Sequence, residues 1–196
     1  SYSAQITATD GVNSATQNIT VNINNLNDNN PYFTSSSNFS ADENQTSIGN
    51  VTSLDADGDS VTFTISGSEL LISSGGVLSF NSSPDYETKT SYTETVTASD
   101  GERTSTQVVD VAVNNLNDNP PVYSAANSLN ASENQTGAFT AAATDADGSS
   151  LTYSITGGTD QDAFSINSSS GVVTFNSAPA EILPSATALA SAAANS

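Results

Sequence analysis

Apolar and polar side chains alternate along most of this chain, the two-residue period of strands that bury one face. Val61-Thr62-Phe63-Thr64-Ile65-Ser66 follows it, and so does Leu151-Thr152-Tyr153-Ser154-Ile155-Thr156. A third strand type opens on glycine, in Gly76-Val77-Leu78-Ser79-Phe80 and Gly171-Val172-Val173-Thr174-Phe175. Tyr92–Ala98 leads into Asp100-Gly101, and Gln107–Val113 runs back. Asp-Gly between two alternating runs predicts a hairpin. No window before the tail carries a helical period.

The pattern recurs at a fixed interval. Asn24–Asn29 returns unchanged as Asn114–Asn119, 90 residues on. Glu43–Thr46 returns at Glu133–Thr136, Asp55–Gly58 at Asp145–Gly148, and Thr7–Gly11 at Thr97–Gly101 with one Thr-to-Ser change. A fixed period means an array of one repeated unit. About seven short strands per unit, with turn signals every ~8–12 residues, predict an all-β fold of tandem Greek-key, seven-stranded, immunoglobulin-like β-sandwiches. Residues 1–30 then form the last hairpin and linker of one repeat, 31–120 a complete repeat with its linker, and 121–179 a truncated repeat. The alternation stops after Pro179, so the last repeat is expected to lack its closing two strands and to leave open sheet edges. The Ala/Ser-rich segment 180–196 is expected to be disordered.

Charge adds a second constraint. The chain has 196 residues, 21 Asp plus Glu, two basic residues (Lys89 and Arg103), and no His, Cys, Trp or Met, for a net charge of −19. Neutralising phosphates needs Lys and Arg, so nucleic acid and anionic membrane surfaces are excluded as partners. No stretch approaches the ~20 apolar residues of a membrane helix. Without His or Cys, the common general bases, thiol nucleophiles and transition-metal ligands are missing, which argues against an enzyme. What repeats most faithfully is acidic and polar, and so much uncompensated negative charge points to a solvated secreted surface or to carboxylates awaiting a cation.

Five motifs carry a specific resemblance: Asp42-Glu43-Asn44, Asp55-Ala56-Asp57, Pro84-Asp85-Tyr86-Glu87, Ala98-Ser99-Asp100-Gly101 and Asn115-Leu116-Asn117-Asp118-Asn119-Pro120. In this order and at this period, residues 1–179 resemble cadherin repeats, in the cadherin-like form found in large bacterial surface proteins. The chain departs from that pattern at Asn25 and Asn115, where the family's linker usually begins with Asp. The resemblance implies Ca²⁺ at the junctions between repeats, bound by carboxylates, Asn side chains and backbone carbonyls as a hard cation requires. Carried over residue by residue, the second junction would use Glu43, Asp85 and Glu87, the Leu116 carbonyl, Asn117, Asp118 and Asn119 of the linker, and Asp145 and Asp147. Its counterpart of Asp100 is lost where the repeat breaks off. The first junction would retain Asn27, Asn29, Asp55, Asp57 and Asp100, while Asp28 would have lost most of its partners.

Six carboxylates would converge on the second junction. Two unit charges ~5 Å apart repel by roughly 3 kcal/mol at an effective dielectric of ~20, so calcium would turn a hinge into a stiff joint. An EF-hand reading fails, because Gly58 is misplaced and position twelve of that loop would be Ser66. The function implied is a calcium-rigidified segment of an extracellular or cell-surface adhesin. Its partners would be calcium, neighbouring repeats of the same chain, and a cell-surface protein (homophilic or not) or a glycan. A structural spacer or carbohydrate-binding accessory module of a secreted multi-domain enzyme stays open as the alternative.

Overall fold

The computed structural model describes residues 1–124 and 128–180. The expected disorder of the 180–196 tail falls, but for Ala180, outside them. The chain divides into two compact units, Ser1–Asn115 and Leu116–Ser196.

The first unit opens with β1 (Tyr2–Thr9) and β2 (Ser14–Val21), a hairpin that forms a two-stranded sheet of its own. A sandwich follows, built from β3 (Tyr32–Phe33), β4 (Asn38–Asp42), β5 (Ser47–Asn50), β6 (Ser53–Leu54), β7 (Thr62–Ile65), β8 (Leu70–Ile72), β9 (Val77–Phe80), β10 (Ser91–Ser99) and β11 (Thr104–Asn114). One sheet runs in the order β4-β11-β10-β7 and the other β5-β9-β8, with β3 and β6 paired at the side. Counting β3 with β4 and β5 with β6 as interrupted strands leaves seven. β4 lies parallel to β11, while β10 is antiparallel to both β11 and β7.

Alternation decides which face is inside. Val96 and Ala98 of β10 and Val109, Val111 and Val113 of β11 are at most 5% exposed and meet Leu70, Leu78 and Phe80 of the opposite sheet in one core. The intervening Thr93, Val108, Asp110 and Ala112 are exposed. Two backbone positions need particular residues. Gly76 has φ +90°, and a Cβ there would lie 2.2 Å from the Val51 carbonyl oxygen. Asn44 adopts φ 63°, a left-handed turn that Asn tolerates, and its N–H donates to the Pro84 carbonyl at 3.0 Å. Both recur in the second unit, at Gly171 (φ +69°, 2.3 Å from the Ala141 oxygen) and at Asn134 (φ 59°, bonded to Pro179).

The second unit contains β12 (Val122–Tyr123), β13 (Gly137–Thr140), β14 (Ala143–Thr144), β15 (Phe164–Ile166) and β16 (Val172–Phe175), with a 3-10 turn at Gln161–Ala163. Its sheet β13-β16-β15 repeats β5-β9-β8, and the pair β12-β14 repeats β3-β6. One sequence expectation is corrected here. The alternating run Leu151–Thr156 forms no strand. Its counterpart β7 pairs with β10 alone, and no equivalent of β10 is present among the described residues. A strand pattern without a partner strand does not become a strand.

Candidate metal centre

Within the first unit the linker 24–30 is tied to the Asp55-Ala56-Asp57-Gly58 turn by a set of polar contacts. Asp57 Oδ2 accepts the backbone N–H groups of Asp28 (2.9 Å) and Asn29 (2.7 Å), and Oδ1 accepts the Asn29 side-chain amide (2.8 Å). The Asn25 amide donates to the Asp57 carbonyl at 2.7 Å. An Asp at position 25 has no donor for that bond, which accounts for Asn in this linker. The Asn29 amide also reaches Asp28 Oδ1 at 3.0 Å, so Asp28 too is tied into this set.

The turn itself is held by Asp55, whose Oδ1 accepts the Asp57 N–H at 2.8 Å and whose carbonyl accepts the Gly58 N–H at 3.3 Å. Asp55, Asp57 and Asp59 each offer a carboxylate oxygen, all within 4.8 Å of one another. Asp100 sits at the β10–β11 turn, where its Oδ1 accepts the N–H groups of Glu102 (2.8 Å) and Arg103 (2.7 Å).

The second oxygens of these side chains behave differently. Asp55 Oδ2, Asp100 Oδ2 and Asn27 Oδ1 are all buried without a hydrogen-bond partner. Among the described residues only Glu94 Oε2 and Gln107 Nε2, on β10 and β11, share that condition. A buried acceptor left unsatisfied is costly, and each one in a native structure calls for an explanation such as a bound ion. All three are oxygens, the donor type a hard cation takes.

Local hydrogen bonding favours the charged form of two carboxylates here, Asp57 and Asp100. The Asn29 backbone N–H, then the Asn29 side chain, the Asp28 N–H and the Arg103 charge hold the Asp57 carboxyl below its ordinary value, against partial burial. The Arg103 N–H does the same for Asp100, followed by the Glu102 N–H and the Asn27 side chain. Arg103 also donates from Nε to the Asn27 carbonyl at 3.4 Å.

In the first unit Glu43, Asp85 and Glu87 place carboxylate oxygens within 4.8 Å of one another. Glu43 is only 2% exposed, and its Oε2 accepts the Tyr86 N–H at 2.8 Å. Asp85 accepts the Glu87 N–H (3.1 Å) and the Thr88 hydroxyl (2.8 Å). In the second unit Asn119 repeats the role of Asn29, donating its N–H to Asp147 Oδ2 (2.9 Å) and its amide to Asp147 Oδ1 (2.9 Å) and Asp118 Oδ1 (2.8 Å). Asp145 Oδ1 accepts the Ser149 N–H at 3.1 Å. The Leu116 carbonyl accepts the Asp118 N–H at 3.2 Å, and Asn117 is exposed.

Sequence reasoning left three participants out: Asp59, Asn25 as a donor, and Arg103. Only Arg103 carried a signal, as one of two cations in the chain.

No family model matches this chain, and no curated protein matches it by sequence. Its fold is similar to solved structures. Protocadherin gammaB7 EC3-6, a cis-dimer structure, aligns with TM-score 0.72 and 25% identity over 93% of this chain and 52% of that one. Mouse Cadherin-23 EC22-24 aligns with TM-score 0.66 and 27% identity over 90% of this chain and 63% of that one. Human Protocadherin-24 EC1-2, at 23% identity and TM-score 0.67, supports the fold alone. The chain thus spans 52% and 63% of the first two structures.

Proposed function

Because this chain is built of cadherin-like repeats, we propose that it serves as a calcium-stiffened segment of an extracellular adhesion protein, aligning successive repeats rather than catalysing a reaction. The observation that carries this reading is the trio of buried, unpartnered oxygens on Asn27, Asp55 and Asp100. They fall on three of the five positions assigned to the first junction by motif.

The residues fit calcium. Every donor is an oxygen, and the chain has no His or Cys to favour a softer metal. Bound calcium supplies positive charge and a coordination shell that takes up carboxylate and amide oxygens. At the first junction Asn27, Asp55 and Asp100 would hold the ion. Asp57 and Asn29, whose hydrogen bonds lock the linker onto the turn, keep those oxygens in position. At the second junction the proposed set is Glu43, Asp85 and Glu87 together with Leu116, Asn117, Asp118, Asn119, Asp145 and Asp147.

The mechanism is mechanical. With a net charge of −19 and two cationic side chains, the linker regions carry like charges that nothing in the chain neutralises in number. Compensation by calcium removes the reason for neighbouring repeats to swing apart. Among the described residues no helix is long and apolar enough to cross a membrane. The adhesive partner is a cell-surface protein, homophilic or heterophilic, or a glycan.

Calorimetric titration with calcium, paired with thermal melts in calcium and in EDTA, tests this. Binding at more than one site with a raised melting temperature is expected. An unchanged melt and no heat of binding sink the proposal.

A further inference from the structure

One buried acid of the first unit has no part in either junction. Glu94 alternates with Val96 and Ala98 along the buried face of β10 and is only 9% exposed. The matching position of the first hairpin, 90 residues upstream, is Ala4, so this strand type does not call for an acid there.

One carboxylate oxygen is fully used. Glu94 Oε1 accepts the backbone N–H groups of Glu69 (2.9 Å) and Leu70 (3.2 Å), which ties the crossover between β7 and β8 to β10. Gly67 makes room for that contact. It has φ +87°, and a Cβ there would lie 2.5 Å from Oε1 and 3.1 Å from Oε2. The other oxygen, Oε2, is buried without a hydrogen-bond partner.

No side chain balances this acid. Of the two cations in the chain, Lys89 gives its ammonium to both oxygens of Glu69, at 2.6 and 2.7 Å, and lies over the Tyr92 ring. Arg103 instead reaches the linker at Asn27. A buried carboxylate without a countercharge is costly, and its own chemistry asks for a cation.

The backbone leaves space for one. The last pair between β7 and β10 is Ile65 with Val96. Ser66 extends that edge, donating its N–H to the Thr95 carbonyl (2.9 Å) and accepting the Thr95 N–H at Oγ (3.0 Å). Backbone groups of alternate residues point to the same side of a strand, so Thr93 turns its carbonyl to this edge, past the end of β7. There the crossover and β10 enclose a groove of about 560 Å³, lined by Ser66, Gly67, Glu69, Thr93 and Glu94 among others.

We propose that this groove is a second kind of metal site, taking a hard cation of the calcium class on the flank of the sandwich rather than at a repeat junction. Glu94 Oε2 and the Thr93 carbonyl are its protein ligands, and water completes the shell. The donors are oxygens, as such an ion requires, and an ion that binds at ~2.3–2.6 Å approaches an oxygen more closely than a water molecule does. Bound there, it neutralises Glu94 and fixes the crossover to β10 through the carboxylate that already holds the Glu69 and Leu70 N–H groups. The site does not rest on the junction reading, since Asn27, Asp55 and Asp100 take no part in it.

Mn²⁺, a paramagnetic stand-in for calcium, locates the site by broadening the amide signals of nearby residues. In the unaltered full chain it should broaden Gly67, Glu69 and Leu70, and added calcium should restore them. Glu94→Gln keeps an amide oxygen for the two N–H groups, so the fold should persist in EDTA while the broadening at those three residues is lost. Absence of broadening there in the unaltered chain overturns the proposal, and that measurement needs no variant. So does broadening that calcium fails to reverse, or that survives Glu94→Gln, as diffuse attraction to a chain of net charge −19 would give. Broadening at the flank with none at Asn29 or Asp57 supports this site and counts against the junction reading. Broadening at Asn29 and Asp57 alone overturns this site and leaves that reading standing.

Discussion

Replacing Asp55 by Asn separates the two tasks that this side chain performs. Oδ1 holds the turn by accepting the Asp57 N–H at 2.8 Å, and an amide oxygen can do the same. Oδ2, buried without a partner, becomes an NH₂ group and can no longer donate electrons to a cation. Stability in EDTA should therefore hold, or rise slightly, because one of three carboxylates lying within 4.8 Å of one another loses its charge. Calcium affinity should fall. A divalent ion and a carboxylate oxygen ~2.5 Å apart attract by about 3 kcal/mol even at the dielectric of water, on the order of a hundredfold in affinity. Isothermal titration of the wild type, Asp55→Asn and Asp59→Asn, each with a melt in EDTA, reads both effects. Asp59 is the exposed member of the cluster, and its variant should lose less. Equal affinity for Asp55→Asn and wild type, or an EDTA melt that falls as far as the calcium melt, would refute the reasoning.

Further predictions concern the linker, acid and backbone. Asp118→Ala should weaken calcium binding more than Asn115→Ala, since it removes a carboxylate; equal losses in a titration count against the linker assignment. Asp10, Asp57 and Asp100 all titrate below their ordinary 3.8 in the folded chain, so their contribution to stability is complete above that value and lost as pH falls through the folded values. Melting temperature in EDTA should therefore drop more steeply below pH 4 for the wild type than for an Asp57→Asn, Asp100→Asn double variant, and parallel curves would contradict it. Gly76→Ala should destabilise the first sandwich by more than the ~1–3 kcal/mol of a strained positive φ, because the new Cβ also meets the Val51 oxygen. Gly58→Ala, at φ +86° with nothing within 4 Å, should cost only the strain, and similar denaturant midpoints for the two would argue against the clash.

Much of the first unit was legible in the sequence because each strand there has its partners. Val61–Ser66, Gly76–Phe80 and the two runs around Asp100-Gly101 became β7, β9, β10 and β11 within a residue or a few at each end. Leu151–Thr156 carries the same alternation and forms no strand, since pairing is a property of two segments and the pattern reports only one. The site divides in the same way. Carboxylates at repeated positions could be read from spacing. That Asp57 spends both oxygens on linker N–H groups while Asp55 and Asp100 each keep one buried and bare depends on backbone placement, which spacing does not encode.

The uneven fidelity of the repeat follows from the same physics. Where the two units face their cores, residues have drifted: Leu70 opposite Phe80 is matched by Phe164 opposite Phe175, and Leu78 by Val173. A core asks for apolar volume and tolerates several ways of filling it. The polar motifs have no such latitude. Asn44 and Asn134 both hold left-handed turns, and Gly76 and Gly171 both face a carbonyl oxygen at under 2.5 Å from any added Cβ. Asn29 and Asn119 each clamp an Asp 28 residues downstream with two hydrogen bonds. Each of these needs one atom in one place, and a substitution that keeps size or polarity does not supply it. A repeat preserved at its polar motifs and free at its apolar interior is therefore one in which each kept residue answers to a specific backbone conformation or hydrogen bond, while the core answers only to volume.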